Sequence, residues 1–103
     1  MTNGEVMKAV RCFLEALQRS GVRLSAAYLY GSQASGETRP DSDIDLALIS
    51  EDFTGDWLAD QRKVLPALLE SDARIEVVRF RPDEFNDESP LAWEIKTKGK
   101  KIL

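Results

Sequence analysis

The segment that most constrains this chain is a Gly31-Ser32 pair, which is followed after ten residues by Asp43 and Asp45. The pair comes directly after residues 24–30, a short apolar run that is typical of a buried strand. Glycine lets a ligand approach the main chain closely, and N–H groups at the start of a helical turn favour an anion. The pair therefore predicts a phosphate-binding turn at the end of a strand.

The two aspartates indicate a cation site. We predict a strand over residues 43–49, in which Asp43 and Asp45 point to one face and the aliphatic side chains between them to the other. Adjacent carboxylates raise each other's pKa, and a bound hard cation relieves their repulsion. Mg²⁺ characteristically takes one or two protein carboxylates together with substrate phosphates. The alternative is a solvent-facing pair, but behind a strand that ends in Gly-Ser we interpret the pair as a metal site.

A third carboxylate, Glu76, lies in the next predicted strand, residues 74–80. Its neighbours are apolar, so we expect this strand to be buried, and a charge in a buried strand needs a partner. A metal shared with Asp43 and Asp45 would supply that partner. The alternative is a charge on an edge strand, which the apolar neighbours disfavour.

Three helices are predicted around these strands from their caps and their helical periodicity. The first runs from a capping box at Thr2 to a stop at Ser20-Gly21, the second from about Trp57 to Glu70, and the third from Ser89-Pro90 to a stop at Gly99. Asp56 is the expected N-cap of the second helix, and Pro66 predicts a kink or an early break within it. The order of elements predicts a single α/β domain over residues 1–103, with a small mixed β-sheet flanked by helices.

Composition excludes several classes of function. The chain has no histidine, so its chemistry must come from carboxylates, hydroxyls, lysine, arginine or bound metal. Cys12 is the single cysteine and lies in an apolar helical pattern, so we expect it to be buried and unreactive. A net charge of −4 argues against direct nucleic-acid binding. Neither a membrane span nor a signal peptide is evident, and we expect a cytoplasmic protein.

The segment from Gly31 to Leu46 resembles the minimal nucleotidyltransferase (MNT) branch of the DNA polymerase β-like nucleotidyltransferase superfamily. Gly-Ser, ten residues and Asp-x-Asp is the superfamily signature, and the fuller pattern G-S-x-A-x-G…S-D-I-D-L matches this segment without gaps. The stretch RIEVVRFRPDEF and the last helix, which ends in a glycine, are similar to the family's closing segment. The resemblance covers nearly the whole chain and implies the polymerase β-like nucleotidyltransferase fold.

The resemblance also implies catalytic roles. Asp43 and Asp45 would hold the metal that binds the triphosphate. Glu76 would join them at a second metal and help to deprotonate the attacking hydroxyl, which is the arrangement of a two-metal site.

For nucleotide binding, the resemblance implies that Gly31-Ser32 positions the β- and γ-phosphates and that Ser42 belongs to the same pattern. Relatives often carry arginine where this chain has Gln33 and Ser35. Arg39 is therefore the nearest candidate for a cation beside the triphosphate.

In function, the resemblance implies Mg²⁺-dependent transfer of AMP from ATP to a hydroxyl. Similar MNT proteins are antitoxins that modify a tyrosine of a small helical HEPN-domain RNase toxin, so a type VII-like antitoxin is the first hypothesis. One alternative is an antitoxin that acts by binding alone, with Trp57 or Trp93 as interface anchors. Another is the catalytic subunit of a small-molecule nucleotidyltransferase. Each hypothesis requires a partner and is compatible with a homo- or hetero-oligomer.

Overall fold

The computed structural model describes residues 3–31 and 43–103, which form three helices and a four-stranded mixed sheet. The helices are α1 (Asn3–Arg19), α2 (Trp57–Leu69) and α3 (Pro90–Lys98), and the strands are β1 (Ala26–Tyr30), β2 (Ile44–Ile49), β3 (Ile75–Phe80) and β4 (Lys100–Lys101). The α/β class is confirmed, and the predicted strands differ from these bounds by one or two residues. None of the described helices is both long and apolar enough to span a membrane.

The strand order is β3-β2-β1-β4, so β2 lies inside the sheet and β3 forms one edge. Strand β2 pairs antiparallel with β1 and parallel with β3, while β4 pairs antiparallel with β1. The prediction that the third strand is buried is therefore wrong, and Glu76 on it is exposed. The apolar side chains of β3 pack against the cores on the two faces of the sheet. This packing explains the apolar composition, although β3 has only one neighbouring strand among the described residues.

Strand β2 is anchored by two hydrophobic cores, one on each face of the sheet. Ile44, Leu46 and Leu48 join the larger core, which includes Phe13 of α1 and Val64 of α2. The side chains that alternate with them join a smaller core against α3, formed by Ala47, Ile49, Phe80, Ala92 and Ile95. A slip of β2 by one residue would turn Asp45 toward the larger, apolar core, so the observed register is strongly favoured.

Helix α2 begins where the sequence predicts. The carboxylate of Asp56 accepts hydrogen bonds from the N–H groups of Leu58 (3.0 Å) and Ala59 (3.2 Å), which confirms it as the N-cap. The helix continues through Pro66 to Leu69, so the early break does not occur. Burial of the helix in the larger core stabilises it across the proline, as tertiary packing commonly does.

The exposure of three helix side chains bears on the sequence predictions. Cys12 is exposed, and the prediction of a buried thiol is wrong, because the buried stripe of α1 runs through Val10 and Phe13 and leaves position 12 outside it. Trp57 and Trp93 retain 68% and 49% of their accessible surface, so neither belongs to a core.

A buried aspartate, Asp60, fixes the loop between β2 and α2. Its Oδ1 accepts hydrogen bonds from the N–H (2.8 Å) and the hydroxyl (3.0 Å) of Thr54, and its Oδ2 accepts one from the N–H of Gly55 at 2.9 Å. Burial alone would raise the pKa of Asp60, but these hydrogen bonds outweigh it and hold the pKa below its usual value. The first turn of α2 is thereby tied to the end of β2.

We expect Asp60→Asn to lower the free energy of unfolding by about 1–3 kcal/mol at neutral pH. The NH₂ group of asparagine would replace one accepting oxygen, and it would face a main-chain N–H group that is also a donor. The lowered pKa means that the unfolded state binds the proton more readily. The contribution of Asp60 is therefore complete above the unfolded-state pKa of about 3.9 and is lost as the pH falls through the folded-state value. Urea unfolding followed by circular dichroism should show the difference between the two proteins shrinking in acid.

Asp56→Asn is the matched control, because it is also an aspartate-to-asparagine substitution and asparagine is an equally good N-cap. It should alter stability only slightly at neutral pH. Equal losses in the two variants would contradict the role assigned to Asp60.

Candidate active site

The sheet register brings Tyr30, Asp45 and Glu76 into one row across three strands. Asp45 of β2 is the Cα partner of Tyr30 on β1 and of Glu76 on β3. Side chains of paired residues point to the same face, and neighbouring strands lie about 4.8 Å apart. The row lies on the face of the smaller core, since Tyr30 packs there and Asp45 alternates with Leu46. The structure therefore brings two of the predicted carboxylates together and adds a tyrosine.

The repulsion predicted for the Asp-x-Asp pair is present. Burial raises the pKa of Asp45, and the negative charge of Asp43 raises it further. Asp43 is exposed and comes immediately before β2, while Asp45 is half-buried within the strand. A divalent cation beside these groups would offset both causes of the raised pKa.

Tyr30 shares the electrostatic environment of the carboxylates. Burial raises the pKa of its hydroxyl, as do, in decreasing order, the charges of Asp45, Glu76 and Glu94. Glu94 lies on α3, so a fourth carboxylate acts on the same site from the helix that covers this face. Neither Tyr30 nor Glu94 is identified as a site residue from the sequence.

Gly31 faces the carboxylate of Asp45 and has a main-chain conformation that favours glycine. Its φ of 71° lies in the left-handed region that favours glycine. A Cβ atom at this position would collide with Oδ2 of Asp45 and lie 3.3 Å from its Cγ. The sequence predicts that a ligand approaches the main chain at Gly31. In the structure, the carboxylate of Asp45 occupies part of that space.

The remaining predicted site residues, Ser32, Arg39 and Ser42, lie outside the described residues. Within residues 3–31 and 43–103, no group of three or more acidic or cysteine side chains forms a ready-made cation site. The donor set nevertheless fits Mg²⁺, because Asp45 stands beside Glu76, follows Asp43 by two residues, and needs only substrate phosphates to complete a shell of oxygens. These carboxylates could therefore supply part of a Mg²⁺ shell and would leave its other positions to further oxygen ligands.

Comparison with known proteins agrees with this fold. The chain is similar to a protein from Sulfolobus solfataricus that is provisionally assigned as a nucleotidyltransferase, with a TM-score of 0.67 and 18% identity over 98% of this chain and 80% of that one. At this identity the likeness concerns the fold alone. A search of curated protein sequences gives no match.

Two further structures are toxin–antitoxin assemblies. One, determined with AMP-PNP, matches with a TM-score of 0.55 and 25% identity over 88% of this chain and 69% of that one. The other, a mutant of the MntA–HpeT pair, has a TM-score of 0.49 and 22% identity over 98% of this chain and 72% of that one, a similarity too low to carry an argument.

The family model described as Polymerase beta, Nucleotidyltransferase matches residues 14–103. This range includes the turn at Gly31, both aspartates and Glu76, together with every strand of the sheet. The chain therefore belongs to the polymerase β nucleotidyltransferase family.

Proposed function

We propose that this chain is a Mg²⁺-dependent nucleotidyltransferase that transfers AMP from ATP to a hydroxyl group. The observation that carries the proposal is the pairing of Asp45 with Glu76 on adjacent strands, two residues after Asp43. Family membership supports the type of reaction. The likeness to an assembly determined with AMP-PNP, an analogue of ATP, supports the choice of nucleotide.

In this proposal Asp43, Asp45 and Glu76 hold the metal. Bound Mg²⁺ would neutralise charge on the triphosphate and stabilise the departing pyrophosphate. The chain's own contribution is a rigid carboxylate: Asp45 lies on a strand whose neighbouring side chains are buried on both faces. Such rigidity matters because catalysis depends on donor groups that are already in position.

Glu76 also suits the role of proton acceptor. It is exposed on the edge strand β3, so an incoming hydroxyl can approach it without passing through the sheet. A carboxylate within hydrogen-bond reach of that hydroxyl can take its proton as the new oxygen–phosphorus bond forms. The edge position, which the sequence did not predict, therefore favours an acceptor that belongs to another molecule.

We assign nucleotide binding to Gly31, Ser32, Ser42 and Arg39, following the sequence pattern. We also propose that residues 1–103 act as one nucleotidyltransferase domain, since one sheet joins β1 near the start to β4 near the end. The assignment of Arg39 rests on its being the nearest basic residue after the Gly-Ser turn.

For the acceptor, we propose a tyrosine on a small helical HEPN-type RNase toxin, which makes the chain a type VII-like antitoxin of the MNT branch. Support comes from the 25% identical toxin–antitoxin assembly. Exposed apolar side chains support a protein partner: Trp57 retains 68% and Leu69 77% of their surface on α2, and Trp93 retains 49% on α3. The same exposure would serve an antitoxin that acts by binding alone, so transfer and neutralisation must be measured separately.

The first test is transfer itself. With ATP labelled at the α-phosphate, Mg²⁺ and the protein encoded by the adjacent gene, we expect label on a tyrosine of that protein. Asp43→Asn combined with Asp45→Asn should reduce transfer by about 100-fold or more, because metal binding contributes several kcal/mol to such a reaction. If the double variant still neutralises the partner fully, the account based on binding alone is correct.

The second test measures the metal without activity. In chelator-treated protein, Asp45→Asn should melt at or above the wild-type temperature, because a carboxylate with a raised pKa opposes folding at neutral pH. Mg²⁺ with AMP-PNP should raise the melting temperature of the wild type. At a ligand concentration of about a hundred times Kd, the free energy of unfolding should increase by about 2.7 kcal/mol. The variant should lose this response, whereas the exposed control Glu51→Gln should retain it. An equal response in wild type and Asp45→Asn would exclude Asp45 as a ligand.

The third test concerns Glu76. Because this side chain is exposed, Glu76→Gln should leave the melting temperature nearly unchanged while it slows transfer by about 100-fold, within the range of general-base contributions. Glu76→Asp should recover part of the rate, since it keeps the carboxylate. Glu88→Gln, another exposed glutamate, is the matched control. Equal transfer rates for Glu76→Gln and Glu88→Gln would make Glu76 a solvated edge charge only.

A further inference from the structure

Tyr30 is the one hydroxyl in the row formed by Tyr30, Asp45 and Glu76. It is the last residue of β1 and the Cα partner of Asp45, and it directly precedes the turn at Gly31. Its side chain is half-buried against the smaller core. Three carboxylates from three different elements, Asp45, Glu76 and Glu94, act electrostatically on its hydroxyl. A phenol therefore lies inside the site that the proposed function gives to ATP and Mg²⁺.

The proposed reaction joins AMP to a hydroxyl, and Tyr30 offers one without diffusion or binding of a partner. We propose that Tyr30 is an acceptor in its own active site, so that the chain adenylylates itself on this residue. This inference rests on the proposed function. It adds an acceptor within the chain, whereas the proposed acceptor is a tyrosine of a partner.

The reaction is a substitution at the α-phosphorus of ATP. The Tyr30 oxygen forms a bond to that phosphorus while the bond to the bridging oxygen of the β-phosphate breaks, and pyrophosphate leaves with the electron pair of that bond. The phenolic proton passes to a carboxylate of the row, Asp45 or Glu76, and from there to solvent. The products are pyrophosphate and a tyrosine–AMP phosphodiester, so no oxidant or further reactant is required.

The geometry selects Tyr30 over Tyr28, the other tyrosine of the chain. Tyr28 lies on the same face of β1, but its Cα partner on β2 is Ala47 rather than an acid. Its ring packs against Phe85, with the centroids 5.2 Å apart. Tyr28 is therefore a matched control that differs in its distance from the carboxylates.

Self-modification has a consequence for the site. An AMP group attached to Tyr30 would occupy space next to Asp45 that the next ATP needs. Labelling should therefore stop at one AMP per chain. Because Tyr30 is half-buried inside its own site, the transfer should take place within one chain rather than between two.

The test uses the full chain alone with Mg²⁺ and ATP labelled at the α-phosphate. We expect label to approach one AMP per chain and tandem mass spectrometry to assign it to Tyr30. Tyr30→Phe should lose the label and Tyr28→Phe should keep it, and circular dichroism should show both variants folded, because each retains its ring. A chelator should abolish labelling.

A mixing experiment tests the intramolecular course. Chains with Asp43→Asn and Asp45→Asn keep Tyr30, and chains with Tyr30→Phe keep the carboxylates. Neither should be labelled when the two are combined. Label on the first chain in that mixture would overturn transfer within one chain.

The outcomes distinguish a failure of the proposed self-modification from a failure of the proposed transferase activity. If AMP-PNP binds with Mg²⁺ and the adjacent-gene protein is labelled but this chain is not, the self-modification is wrong and the transferase stands. Label on Tyr28 or on a serine would also overturn the assignment of Tyr30. If neither protein is labelled by the wild type, both the inference and the transferase are wrong.

Discussion

Burial of β2 on both faces is the constraint on which the site depends. Ile44, Leu46 and Leu48 are held in the larger core, while Ala47 and Ile49 are held in the smaller one. Asp45 is placed within this alternation, so its main chain is held in position while its side chain is half-buried. Its raised pKa is the electrostatic consequence of that position. The fold thus keeps a destabilised charge in place, as proteins commonly do where a ligand is to be bound.

The glycine at the end of β1 completes this arrangement. Gly31 combines a positive φ with a close approach to Oδ2 of Asp45, so a side chain there would be strained by the main-chain conformation and would have to displace the carboxylate. The turn, the tyrosine before it and the central aspartate therefore form one unit, in which each position limits the others. The signature Gly-Ser…Asp-x-Asp contains both residues of this contact, Gly31 directly after β1 and Asp45 within β2.

Much of this structure could be predicted from local signals. The N-cap at Asp56 and the alternation along β2 depend only on short-range geometry, and the structure agrees with both. Asp43 lies just before β2, so its sharing one strand face with Asp45 stays a prediction. The sequence offers the edge position of Glu76 only as the alternative, because apolar neighbours indicate that the faces of a strand are covered and do not indicate whether its edges are paired. The place of Tyr30 beside Asp45 depends on the register between β1 and β2, which the local sequence does not specify.

Strand β3 has no neighbouring strand on its outer side among residues 3–31 and 43–103. Main-chain N–H and C=O groups on such an edge can pair with a strand of another molecule, and β-forming sequences such as IEVVRF are prone to do so. A charged side chain near the start of the strand opposes this association, because a neighbouring strand would have to accommodate the charge. Glu76 is an exposed charge of this kind, and it therefore disfavours pairing of β3 with a strand of another molecule.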